Sequence, residues 1–167
     1  SRDRVALVTG DAGIGKTRLT TDAVAHAGED GALVLLGACL QLSTPLPLLP
    51  AVEWAHQLSR PPVVSRWSRV RDQLPPALAT ELAALDVGIV TPTDGDLRSD
   101  APLRLFAAIR EGLAALATEG PVCVVVEDLH WAEAGTLDLL TYLLRTPHGP
   151  ACSVIVIATS GVPSSHA

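Results

Sequence analysis

The chain has 167 residues, of which 12 are basic and 18 are acidic, so its formal net charge is −6. This length predicts a single domain, 1–167, with a core of its own. The negative charge argues against direct contact with nucleic acid or with an anionic membrane surface, because both bind cationic proteins. Eleven of the basic residues are arginine and one, Lys16, is lysine.

Apolar runs and cysteines indicate the class of protein. No apolar run approaches the roughly 18 residues of a membrane-spanning helix, and no signal segment opens the chain, which favours a cytoplasmic location. Cys39, Cys123 and Cys152 lie in or beside apolar runs and predict buried thiols rather than disulfides or a zinc site. The chain begins with Ser1 and has no methionine, which we interpret as a fragment of a longer polypeptide.

Short apolar runs alternate with helical patterns at both ends of the chain. Residues 5–9 lack polar alternation and predict a strand covered on both faces. The segment from 16 to about 27 predicts a helix that Gly28 ends. Further strands are predicted at 32–36, 122–126 and 154–158, and a further helix at 136–144. This alternation predicts an α/β fold, a parallel sheet with helices on both faces.

Residues 41–120 break this rhythm, since they are too many for a simple connection. Helical patterns at 50–59, 63–72, 76–85 and 101–118 are separated by pairs of prolines and by a polar patch at 91–100. We interpret this stretch as a helical insertion between the second and third strands, with 91–100 as a mobile loop.

The residues after the first predicted strand, GDAGIGKT, match the phosphate-binding motif G-x-x-x-x-G-K-[ST] at every constrained position. Glycines let backbone N–H groups approach a polyphosphate. Lys16 supplies a cation for the β- and γ-phosphates, and the Thr17 hydroxyl is a hard oxygen ligand suited to Mg²⁺. The predicted nucleotide-binding residues are Gly10, Asp11, Ala12, Gly13, Ile14, Gly15, Lys16, Thr17 and Arg18.

The third predicted strand ends in two carboxylates, Glu127 and Asp128. A parallel sheet brings them to the same edge as the phosphate loop. One carboxylate would hold the Mg²⁺ shell, and the other would orient or deprotonate the attacking water. Position favours Glu127 for the metal and Asp128 for the water, although the two roles could be exchanged. The predicted catalytic residues are therefore Lys16, Glu127 and Asp128, and the predicted Mg²⁺ ligands are Thr17, Glu127 and Asp128.

Together, the strings VTGDAGIGKTRL and VVVEDLHWAE resemble the AAA-like, STAND-class P-loop ATPase domain of large LuxR-type transcriptional regulators and related multidomain signalling ATPases. The string from Glu127 to Glu133 is the most family-specific part. The resemblance implies an additional-strand sheet of order 5-1-4-3-2, with the strand at 154–158 between those at 5–9 and 122–126, and the fifth strand after Ala167, outside the fragment. It also implies ATP and Mg²⁺ as ligands, with other domains of the chain and a homo-oligomer on activation as partners.

One position departs from the family pattern. Family members usually end the fourth strand with a polar residue and then an arginine that senses the γ-phosphate, whereas here Thr159 and Ser160 are followed by Gly161. Loss of a cation near the transferring phosphate weakens transition-state stabilisation more than ground-state binding. We therefore expect a domain that binds ATP, hydrolyses it slowly and acts as a nucleotide switch in signalling or transcription regulation.

Two other function classes stay open, a small-molecule P-loop kinase with an acceptor pocket in 41–120 and a catalytically inactive scaffold. A GTPase is excluded, because no second lysine exists to build the Asn-Lys-x-Asp element that selects guanine. Arg145 could reach a neighbour's nucleotide or, as we expect, stabilise a helix C-terminus. His130 and Trp131 are expected to pack rather than to touch nucleotide, and Trp54 and Trp67 are expected in a local core.

Overall fold

The computed structural model describes residues 4–11, 13–44, 46–86, 100–145 and 152–157. Within these ranges the chain forms four strands and six α-helices, and every predicted element is present with ends that shift by at most two residues. The strands are β1 (Arg4–Val8), β2 (Leu33–Ala38), β3 (Val122–Glu127) and β4 (Cys152–Ile157). The helices are α1 (Lys16–Glu29), α2 (Leu49–Leu58), α3 (Val64–Arg71), α4 (Pro76–Asp86), α5 (Ala101–Thr118) and α6 (Ala134–Arg145).

The four strands form one parallel sheet in the order β1-β4-β3-β2. Strand β4 therefore lies between β1 and β3, the place that the resemblance implies for it. The register pairs Val8 with Ile157 and Ala38 with Glu127, the last residues of their strands. The ends of all four strands consequently lie along one side of the sheet, the carboxyl edge.

Helices cover the sheet on both faces, as the alternation of elements predicts. On one face, Val124 and Val126 of β3 belong to the large core that includes residues of α2, α5 and α6. On the other face, Val125 packs against Val24 of α1 and Val8 of β1. Strand β3 is apolar without a break because its two faces have separate covers.

The prediction that β1 is covered on both faces is wrong. Val5 and Leu7 are 52% and 62% exposed, and Ala6 is exposed as well. Among the described strands β1 pairs only with β4, and the most extensive helix–strand contacts are with β2, β3 and β4. Leu36 of β2 is likewise 42% exposed. An apolar run predicts a strand, but whether its side chains are buried depends on which elements lie beside it in the folded sheet.

Four helices connect β2 to β3 in the region predicted to be helical. Helix α2 packs on β2, and α3 and α4 pack on α5. Trp54 and Trp67 are buried in this layer, which confirms the expected local core. Helix α2 can approach β2 closely because Gly37 has no side chain, and a Cβ there would lie 2.7 Å from the Cα of Pro50 in the first turn of α2.

Side chains of α2 also cover the outer edge of β2. The Nε2 of Gln57 donates to the carbonyl oxygen of Leu36 at 2.5 Å, and its Oε1 accepts from the Leu36 N–H at 3.0 Å. The Oε2 of Glu53 accepts a hydrogen bond from the Ala38 N–H at 2.7 Å. These bonds take the place of a neighbouring strand and so protect an edge that would otherwise pair with another chain.

The remaining predictions divide between those that the structure tests and those outside it. Cys39 and Cys123 are buried free thiols, as predicted. In the part of the chain that the structure describes, no helix combines the length and the apolar character needed to cross a membrane. Ala12, the predicted loop up to residue 99, the Cys152 side chain and residues 159–161 lie outside the described residues.

Candidate nucleotide-binding site

The loop that follows β1 turns at two glycines. Gly13 and Gly15 have φ angles of 79° and 100°, in the region that costs glycine little and side-chain-bearing residues more. A Cβ added to either would meet no atom within 4 Å. The backbone conformation, rather than a lack of space, therefore requires glycine at these motif positions.

Lys16 is the first residue of α1 and is only 7% exposed. Its ammonium turns back into the loop, where Nζ donates to the carbonyl oxygens of Gly10 at 2.6 Å and Asp11 at 2.5 Å. An ammonium has three hydrogens, so these two bonds leave one for a further acceptor. The single lysine of the chain therefore links the carbonyl groups of the loop and retains one N–H at the centre of the loop for a further acceptor.

The N-terminus of α1 begins at this loop without a capping side chain. Its N-cap residue is Gly15, and no side-chain hydrogen bond caps the helix. The first N–H groups of a helix have no partners within the helix and carry the positive end of its dipole. Thr17 is exposed in the first turn. An anion at this end would thus meet N–H groups, a partial positive charge and a hydroxyl group.

Three other predicted nucleotide-binding residues lie at the surface. Asp11 and Ile14 are exposed, and the Ile14 N–H donates to the Asp11 carbonyl oxygen at 3.4 Å. The Arg18 side chain is 89% exposed and lies 4.0 Å from the carboxylate of Asp22, one turn further along α1. Arg18 is therefore on the solvent face of the helix with an ion-pair partner of its own.

Strand β3 ends in the two predicted carboxylates at the carboxyl edge. Glu127 is half-buried, and its carbonyl oxygen accepts a hydrogen bond from the Cys39 N–H at 3.0 Å, which joins the ends of β3 and β2. Asp128 has a φ of 54°, a left-handed conformation that aspartate adopts more readily than most residues. A short 3₁₀ turn, Leu129–Trp131, follows, so the chain changes direction immediately after the two carboxylates.

The sheet brings the phosphate loop and the carboxylates to one edge. Strands β1 and β3 flank β4, so their ends are two strand spacings apart, about 10 Å. Lys16 and Thr17 follow β1, whereas Glu127 and Asp128 end β3. Among the described residues, no three His, Cys, Asp or Glu side chains converge as a metal site. A metal ion here would therefore need the Thr17 hydroxyl or phosphate oxygens as additional ligands.

His130 and Trp131, in the turn beyond the acid pair, are exposed. The rings of His130 and Trp131 lie 4.7 Å apart, and Trp131 is 42% exposed, so their contact with each other accounts for part of the expected packing. Arg145 is the last residue of α6 and is exposed, the position in which a cation interacts favourably with the helix dipole.

Glu133 is the residue at this edge that sequence reasoning missed. It precedes α6, and its Oε1 accepts hydrogen bonds from the Leu48 N–H at 3.0 Å, the Thr136 N–H at 2.6 Å and the Thr136 hydroxyl at 2.5 Å. Its Oε2 accepts from the Gly135 N–H at 2.5 Å. Burial acts to raise the pKa of Glu133, but these hydrogen bonds outweigh it and hold the pKa below the usual range. Glutamate is not a favoured N-cap residue, so capping rules do not identify it.

The thiol of Cys39 lies among these acids. Burial, followed by the negative charges of Glu133, Asp128 and Glu53, raises the pKa of Cys39 to about 11. The Cys39 thiol beside the end of β2 therefore stays protonated at neutral pH.

A family model described as the AAA ATPase domain matches residues 1–157. The chain belongs to this family. It is accordingly a nucleotide-binding P-loop ATPase domain, and membership implies the use of a nucleotide, usually together with Mg²⁺. No curated protein was found to be significantly similar to the chain.

Proposed function

We propose that this AAA ATPase domain binds ATP with Mg²⁺, hydrolyses it slowly and acts as a nucleotide switch in a multidomain signalling or transcription-regulating protein. The observation that carries the proposal is the buried Lys16 ammonium inside a glycine loop, at the same sheet edge as Glu127 and Asp128. In such a switch, bound ATP or ADP changes how the domain packs against other domains of its chain.

The residues of the loop fit a nucleotide bound with Mg²⁺. Gly13 and Gly15 shape the backbone, and the uncapped N-terminus of α1 offers N–H groups to phosphate oxygens. Lys16 would exchange at least one loop carbonyl for a phosphate oxygen. Thr17 and Glu127 would hold Mg²⁺, which neutralises phosphate charge when it is bound.

Asp128 is the proposed base of the reaction. With Glu127 on the metal side, Asp128 is the adjacent carboxylate and would orient the attacking water and accept its proton. The reverse assignment of the two acids is the alternative. Single-turnover hydrolysis separates them, because the residue that acts on water should affect the rate far more than the affinity for ATP.

Slow hydrolysis is proposed because Gly161 stands where the resemblance implies an arginine. Thr159 and Ser160 can offer hydrogen bonds to water or phosphate, but neither supplies positive charge. A missing cation raises the barrier more than it weakens binding. Gly161→Arg should therefore speed single-turnover hydrolysis, and equal rates in this variant and the wild type would refute the explanation.

Calorimetric titration with ATP and Mg²⁺ tests nucleotide binding. Lys16→Ala should abolish measurable binding, whereas Arg69→Ala should keep wild-type affinity. Arg69 pairs with Glu119 at 3.0 Å, just before β3 begins, on the side of the sheet opposite the carboxyl edge. Asp128→Asn should bind ATP and trap it, with only a slow residual hydrolysis. Unchanged affinity in Lys16→Ala would refute the phosphate-loop assignment, and no binding by the wild type would favour an inactive scaffold.

A groove beside Glu127 favours a second candidate function, a small-molecule kinase. The groove has a volume of about 340 Å³ and runs between β2 and α2, with His56 and Arg60 among its polar lining. This volume is within the range of small-molecule sites. Stimulation of ATP turnover by a small hydroxyl compound would support the kinase, and turnover that is independent of added acceptors would support the switch.

The finer fold and the partners belong to the same proposal. The order β1-β4-β3-β2 supports an additional-strand sheet of order 5-1-4-3-2, in which a fifth strand pairs with β1 beside the exposed Val5 and Leu7. The switch would act in the cytoplasm through other domains of its chain, with a homo-oligomer on activation. The net charge of −6 supports the absence of direct nucleic-acid contact by this domain. Light scattering with ATP and with ADP tests the oligomer.

A further inference from the structure

Two helices from distant parts of the chain begin at one carboxylate. Leu48 precedes α2, Glu133 precedes α6, and a hydrogen bond joins these residues across 85 positions of sequence. We propose that Glu133 is a positioning residue of the ATPase reaction, which holds the turn that carries Asp128 by binding the N-termini of both helices. This inference rests on the proposed function, in which Asp128 acts on the attacking water.

The Glu133 carboxylate satisfies backbone N–H groups at both helix ends. The Leu48 N–H belongs to the N-cap residue of α2, whereas the Gly135 and Thr136 N–H groups belong to the first turn of α6. N–H groups in these positions lack partners within their own helices. The positive ends of two helix dipoles thus meet one negative charge, which stabilises the ionised carboxylate and fixes the two helix ends relative to each other.

The turn that carries Asp128 is attached at both ends to the connection between β2 and α2. At its start, the Glu127 carbonyl oxygen accepts from the Cys39 N–H, and at its end, Glu133 accepts from the Leu48 N–H. Within the turn, the Trp131 N–H donates to the Asp128 carbonyl oxygen at 2.9 Å. Residues 39 and 48 begin and end the β2–α2 connection. The turn between Glu127 and Glu133 is therefore attached to this connection at both of its ends, and only five residues lie between the two attachments.

The backbone conformations at the two ends of this linkage support the same conclusion. Among the described residues, the non-glycine residues with positive φ are Leu48, at 55°, and Asp128, at 54°. This conformation is unfavourable for a bulky residue such as leucine and persists where the surroundings impose it. Leu48 is 4% exposed and bonds directly to Glu133. Loss of the Glu133 carboxylate should therefore let both residues relax and displace the Asp128 side chain.

Three variants separate the link between the helices from the cap of α6. Glu133→Gln keeps the size of the side chain and removes its charge. Glu133→Asp keeps the charge and is a good N-cap, but it is one methylene shorter and should not reach the Leu48 N–H. Glu119→Gln is the matched control, since Glu119 pairs with Arg66 and Arg69 before β3 begins, away from the carboxyl edge.

The first readout compares hydrolysis with binding. Glu133→Gln should slow single-turnover ATP hydrolysis by about tenfold or more, since small misplacements of catalytic groups have effects of this size. Its Kd for ATP should stay within about threefold of the wild type, because the Lys16 loop is untouched. Glu133→Asp should remain folded at the assay temperature, although it unfolds at a lower temperature than the wild type because the Leu48 N–H loses its partner, and it should still hydrolyse ATP slowly. This variant also covers the case that Glu133→Gln does not fold. Glu119→Gln should match the wild type in both measurements.

A double-mutant cycle distinguishes positioning of Asp128 from general loosening. In an Asp128→Asn background, Glu133→Gln should slow hydrolysis no further, because its effect passes through the Asp128 carboxylate. Amide hydrogen exchange followed by NMR gives a readout that needs no nucleotide. The Leu48 amide should exchange faster in Glu133→Asp, whose side chain no longer reaches it, whereas the Gly135 amide should remain protected in that variant.

The outcomes separate this inference from the proposed function. A wild type that hydrolyses ATP, together with Glu133 variants that hydrolyse it equally fast or show additive losses with Asp128→Asn, refutes the inference alone. A wild type that binds but never hydrolyses ATP refutes both. Unchanged exchange at the Leu48 amide of Glu133→Asp refutes the link between the two helix ends, whether or not the wild type hydrolyses ATP.

Discussion

Replacement of Gly37 by alanine should force α2 away from the sheet. The added Cβ would lie 2.7 Å from the Cα and the Cβ of Pro50 and 2.8 Å from its carbonyl oxygen. Ordinary contact begins at 3.4 Å, so the first turn of α2 must move by about 0.7 Å (3.4 Å less 2.7 Å). The obstructing atoms belong to the backbone and to a proline ring, and no change of rotamer can move them aside.

The size of the effect follows from two opposing contributions. Forced movement in a packed core costs about 1–3 kcal/mol, and the stiffer unfolded chain of alanine returns about 0.4–1 kcal/mol. The same movement stretches the hydrogen bonds that Glu53 and Gln57 make to β2, which adds to the cost. We expect the free energy of unfolding to fall by about 1–3 kcal/mol and Tm to fall by roughly 3–10 °C.

Gly28→Ala is the matched control for this experiment. Gly28 lies in the last turn of α1, where an added Cβ meets no atom within 4 Å, so the same substitution should stabilise the protein by about 0.4–1 kcal/mol. Urea unfolding followed by circular dichroism measures both variants against the wild type. Equal unfolding midpoints for Gly37→Ala and Gly28→Ala would refute the close approach of α2 to β2.

Three further predictions concern titration, reactivity and the sheet edge. Folding lowers the pKa of Glu133, so the ionised carboxylate stabilises the folded protein fully above the unfolded pKa of about 4.5. This contribution to the free energy of unfolding is lost as the pH falls through the folded pKa. Acid titration of Glu133→Ala should therefore lack this part of the decrease in stability. The pKa of Cys39 is raised from 9.0 to about 11, so native Cys39 should react with iodoacetamide about a hundredfold more slowly at pH 8 than it does in urea. Peptide mass spectrometry measures this rate and should show slow alkylation of Cys123 as well. A fast reaction of native Cys39 would contradict its burial. Gln57→Ala leaves the Leu36 N–H and carbonyl oxygen without their partner, so it should lower the free energy of unfolding by about 1–2 kcal/mol. The exposed edge of β2 should also let molecules associate, which increases light scattering. A stable, monomeric variant would show that Gln57 does not protect this edge.

Much of the fold could be predicted because its signals are local. The loop that contains Lys16 is defined by eight consecutive residues, and the structure shows why two of its glycines are needed, since Gly13 and Gly15 have positive φ. The four helices between β2 and β3 begin and end within two residues of their predicted bounds, because prolines and apolar periodicity mark helix ends within a few residues of sequence.

The predictions that failed or were missed concern partners distant in sequence. The exposure of Val5 depends on which elements lie beside β1 in the sheet, and its apolar run contains no such information. Glu133 was missed because its role depends on the Leu48 N–H, 85 residues away, and glutamate before a helix is a weak capping signal.

The sequence by itself determined that this chain is a P-loop ATPase domain, with Lys16 in the phosphate loop and Glu127 and Asp128 at the end of an apolar strand. Short-range patterns suffice for this, because loop conformation and helix ends depend on neighbouring residues. Only the tertiary structure decided that β1 is exposed, that α2 contacts β2 at Gly37, and that Glu133 joins two helix N-termini beside Asp128. These contacts depend on distances between segments that meet only when the sheet and the helices assemble.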